Sequence, residues 1–64
     1  MDLAKTVTQR RRHVGLTQRD LADLAGVSER LVRQVEAGKR TAQFDKVEAI
    51  LTTLGLELTA EVRR

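Results

Sequence analysis

A chain of 64 residues with no cysteine and no proline makes one small domain, without disulfides or thiolate metal sites to hold it together. Such a chain buries only about 60% of its unfolded surface, which leaves dimerisation as the remaining source of added stability. The net charge is +3 but unevenly placed: eight basic and four acidic side chains lie between Arg10 and Arg40, a local excess that suits a phosphate-facing surface as readily as an ordinary solvated one.

One aromatic residue, Phe44, and a third of the residues charged predict a compact helical domain with an aliphatic core. No apolar run approaches the ~18 residues of a membrane span, and no signal-peptide apolar region is visible, so a cytoplasmic, nucleoid-associated protein is expected.

Asp2 is placed to cap a first helix running to about Val14. Leu3, Val7 and Val14 form its apolar stripe, with the stem of Arg10 covering the gap, and Gly15 ends it. Thr17, three residues before Asp20, forms a short-armed capping box for a second helix that Gly26 closes. Ser28 caps a third, Glu29 to Ala37, ended by Gly38. Phe44, Val47, Ile50, Leu51 and Leu54 give the stripe of a fourth, ended by Gly55. From Leu56 to Val62 the period changes to strict alternation, with Leu56, Leu58, Ala60 and Val62 on one face. A lone strand leaves its backbone groups unpaired, so this one is expected to pair with a second subunit; a frayed or helical tail is the other reading.

The twenty positions from Gln18 to Ala37 meet the demands of a helix-turn-helix. Ala22 is small where the two helices cross closely, and Gly26 supplies the positive φ of the turn. Leu21, Ala25, Val27, Val32 and Val35 are apolar where the inter-helix core requires it. Seven conditions met at fixed offsets make a specific signal.

Gly15-Leu16-Thr17-Gln18, Leu21-Ala22, Ala25-Gly26-Val27-Ser28 and Glu36-Ala37-Gly38-Lys39-Arg40 resemble the Xre/Cro/C1 family, relatives of the phage lambda repressor. The segment from Leu54-Gly55-Leu56-Glu57-Leu58 onward resembles the C-terminal strand of HipB-type antitoxins, which pairs with its copy across a dimer. The resemblance implies an all-α, four-helix, lambda-repressor-like domain over residues 1–55, and a dimerisation strand over residues 56–64.

It also implies roles. Gln18 matches a glutamine that donates to a DNA phosphate, a sound place for an amide beside the free N–H groups of a helix start. The third helix is expected in the major groove, with Glu29, Arg30, Arg33 and Gln34 turned outward and Ser28 at its start among the DNA-binding residues. Arg30 or Arg33 is the expected base reader, since arginine bonds guanine O6 and N7 together; either could instead contact only phosphate. Glu29 is expected to complement the helix dipole more than to accept from cytosine, and Leu31 to touch a thymine methyl. Lys39, Arg40 and Thr41 look like phosphate contacts. Arg11 and Glu36 match a structural salt bridge of the family, whereas Arg10 and Arg12 are expected in solvent.

His13, alone without cysteine, makes a metal site implausible, and Asp20 and Asp23 on an exposed helix face offer no catalytic pocket. The reading is a non-enzymatic, cofactor-free repressor that binds a palindromic double-stranded operator as a homodimer. The tail resemblance adds the role of antitoxin in a HipBA-like toxin-antitoxin system, with a HipA-like kinase toxin as partner. The alternatives are a standalone or phage-type Xre regulator and a protein-interaction module.

Overall fold

The computed structural model describes residues 2–40 and 43–56, and these form four helices: α1 Leu3–His13, α2 Gln18–Ala25, α3 Glu29–Glu36 and α4 Phe44–Thr53. No strand occurs among the described residues. The alternating segment expected to dimerise, with Leu58, Ala60 and Val62, lies outside them, as does Thr41.

The starts of the first three helices follow from local chemistry. Asp2 accepts from the Lys5 N–H at the head of α1. Thr17 and Asp20 form the full reciprocal capping box, the hydroxyl accepting from Asp20 N and the carboxylate from Thr17 N. Ser28 accepts from Leu31 N at the start of α3. The ends are equally local. At α1, α3 and α4 a glycine follows the cap, and the residue after it donates back five positions: Leu16 to Arg11, Lys39 to Gln34, Leu56 to Leu51. These paired returns satisfy carbonyls that the helix itself leaves open.

α2 packs on both α3 and α4, and α1 packs on α3. Their shared core is aliphatic: Val7, Leu21, Ala22, Leu31, Val32, Val35, Val47, Ile50, Leu51 and Leu54. Leu3, Leu16, Ala25, Val27 and Leu56 pack around it, partly buried. All seven helix-turn-helix positions are therefore filled as expected, with Gly26 at φ 72° between α2 and α3.

Four expectations need correction. Val14 is 43% exposed, because α1 stops at His13 and the chain turns away; Arg11 takes the inward position instead. Phe44 is 62% exposed, in the first turn of α4, ahead of the buried face that begins at Val47. Arg10 is not a solvated residue: its Nε donates to the Leu54 carbonyl at 2.9 Å, closing the end of α4 with a cation. Leu56, expected on the dimerising strand, caps α4 and packs against its own core.

Candidate nucleic-acid interface

The helix-turn-helix leaves α3 anchored along one side only. Leu31, Val32 and Val35 point into the core, all at 5% exposure or less. The opposite side exposes Arg30, Arg33 and Ala37 to solvent, with Glu29 and Gln34 partly covered. Leu31 was expected to reach a thymine methyl. Its side chain lies in the core, so that contact is not available to it.

Beside this ridge Arg30, Arg33, Gln34, Ala37 and Lys39 line a shallow depression of about 290 Å³. Three of the five carry a positive charge and one carries an amide. Lys39 and Arg40 follow in the exposed loop after α3. The arrangement offers an exposed, cationic helix face with donors at its tips.

Within the ridge, Arg33 Nη1 donates to Glu29 Oε2 at 2.8 Å, with the two side chains 57% and 40% exposed. The sequence suggested a dipole role for Glu29. Glu29 does stand in the first turn of α3; the capping bond is made by Ser28, and the glutamate's carboxylate also accepts from Arg33. Because the Ser28 hydroxyl accepts from Leu31 N, its own O–H is not used by the capping bond.

Gln18 opens α2 and is half-buried. Its Nε2 donates to Glu36 Oε1 at 3.2 Å, a link that sequence reasoning missed. The same glutamate takes two bonds from Arg11, at 2.7 and 3.1 Å, while Arg11 Nη1 donates to the Leu16 carbonyl. Burial alone would raise the Glu36 carboxyl, but donors from Arg11, Gln18 and Thr8 and the Arg11 charge hold it below the ordinary value. The end of α1, the start of α2 and the end of α3 therefore meet at one carboxylate. The Arg11–Glu36 bridge implied by resemblance is present.

Among the described residues no group of three or more His, Cys, Asp or Glu side chains could hold a metal ion, and no helix is long and apolar enough to cross a membrane.

Residues 7–60 match the model of the helix-turn-helix family. The chain is also similar to an uncharacterized HTH-type transcriptional regulator, y4mF, of Sinorhizobium fredii (strain NBRC 101917 / NGR234). The two are 42% identical over 57 residues, which cover 89% of this chain and 75% of the relative.

Proposed function

The chain belongs to the Xre/Cro/C1-type helix-turn-helix family, and on that footing we propose that it is a sequence-specific, DNA-binding transcriptional repressor rather than an enzyme. The observation that carries the proposal is α3 itself. One side is buried by Leu31, Val32 and Val35, and the other offers Arg30, Arg33 and Gln34 outward beside Lys39. Gln18, Lys39 and Arg40 bind backbone phosphates, as Thr41 is expected to do, Ser28 contacts DNA at the start of α3, and Arg30 or Arg33 reads a base edge.

Repression works by occupancy. Two copies set their α3 helices in successive major grooves, ~34 Å apart, of a palindromic operator and exclude polymerase. Phosphate neutralisation dominates the affinity, so binding falls steeply with salt. Mobility shift with the duplex just upstream of the gene is the test. A retarded band that survives random competitor DNA supports the reading, and its absence at low salt rejects it.

The alternation of Leu58, Ala60 and Val62 supports a second, narrower reading as an antitoxin that dimerises through its tail and neutralises a kinase-type toxin encoded beside it. Deleting residues 57–64 then converts dimer to monomer in sedimentation, and the product of the adjacent gene co-purifies with the full chain. A persistent dimer removes the tail-pairing idea. A neighbouring gene without a kinase-like product leaves a standalone regulator.

A further inference from the structure

We propose that Glu29 and Arg33 act as one joined reader of a single G·C base pair, Arg33 bonding the guanine and Glu29 the cytosine. This rests on the DNA-binding reading and makes Glu29 a specificity-determining residue.

A bare carboxylate on a helix face that approaches phosphates is repelled. Here the Arg33 guanidinium, 2.8 Å away, neutralises it. The bond is an exposed pair four residues apart on one helix face, so it adds little to folding, and Ser28 already caps the helix. Its consequence is orientation. With Nη1 engaged, the Nε and Nη2 hydrogens of Arg33 remain, pointing the same way, for guanine O6 and N7. Glu29 keeps Oε1 as an acceptor for the cytosine N4 amino group. The G·C major-groove edge carries two neighbouring acceptors and a donor, the complement of two donors and an acceptor. An A·T edge sets the adenine amino donor against an arginine donor and is rejected. Arg30 has no carboxylate partner among the described residues, so it cannot present this combined surface.

Selection from randomised duplex DNA tests the unit, using the full chain, Arg33→Lys, Glu29→Gln and the double variant, each first shown to melt like the parent. The parent enriches a motif with a G·C pair at one position of each half-site. Arg33→Lys keeps the charge but loses the preference at that pair; Glu29→Gln relaxes the same pair, and the double variant adds no further change. Replacing that guanine by 7-deazaguanine weakens the parent about tenfold or more and leaves Arg33→Lys nearly unaffected.

An unchanged motif for Glu29→Gln overturns the joined reader while leaving DNA binding intact. So does a change at a different pair from that of Arg33→Lys. If the parent enriches no motif at all, the DNA-binding reading falls and takes this unit with it.

Discussion

Arg11 holds Glu36 by two bonds, Nε to Oε2 at 2.7 Å and Nη2 to Oε1 at 3.1 Å, with only 11% and 7% of the two side chains exposed. The pair spans α1 and α3, and Gln18 joins it from α2. Removing one member strands a charge in a site that water barely reaches. Arg11→Met is therefore expected to destabilise the domain by roughly 3–5 kcal/mol in urea unfolding, whereas Arg11→Met with Glu36→Leu recovers most of that loss. Equal instability in the single and double variants would show that the charges contribute less than the packing.

The same pair sets an acid limit. Because the Glu36 carboxyl is held below its ordinary value of 4.5, the unfolded chain takes up that proton first as pH falls. The stabilisation is complete above about 4.5 and is lost as pH drops through the lower, folded value. Asp20 is lowered too, by the Thr17 N–H and then the Thr17 hydroxyl, but it is fully exposed and adds only to the direction of the trend. Thermal melts between pH 7 and 3 are expected to show this decline, and Glu36→Gln to flatten it.

Gly26 makes a separate prediction, since its φ of 72° sets the angle between α2 and α3. A methyl group placed there meets nothing within 4 Å, so no clash contributes. Gly26→Ala then costs about 1–2 kcal/mol from the left-handed backbone alone. A larger loss, with altered DNA binding at matched folded fraction, would mean that the turn changes shape instead of bearing the strain.

How much of this was legible depended on the range of the interaction. Caps and glycine stops act over three to five residues, and Asp2, Thr17, Ser28, Gly15 and Gly38 all did what their spacing predicts. Val32 and Val35 alone do not define the inward face of α3, which also includes Leu31. Leu31 lies four residues before Val35, on the same stripe, and that spacing was the available signal. Phe44 and Val14 failed for a different reason: a periodic stripe tells which side of a helix is apolar, not where the neighbouring helix stops covering it. The bonds from Arg10 to Leu54 and from Gln18 to Glu36 join residues 44 and 18 positions apart, and no local pattern encodes them.

Gln18 gives the prediction that separates positioning on DNA from reading it. One hydrogen of its Nε2 goes to Glu36, which fixes the amide and leaves the other for a phosphate. Asp20 N and Leu21 N are both taken up by Thr17, so the N–H groups of Gln18 and Arg19 stand open at the start of α2 beside it. A phosphate contact carries no base information. Gln18→Ala is accordingly expected to lose roughly 1 kcal/mol, about fivefold, on operator and random duplex alike. Anisotropy titrations against both duplexes at one salt concentration check this. Loss of discrimination at a single base pair, with random-sequence affinity unchanged, would instead place the glutamine among the base readers.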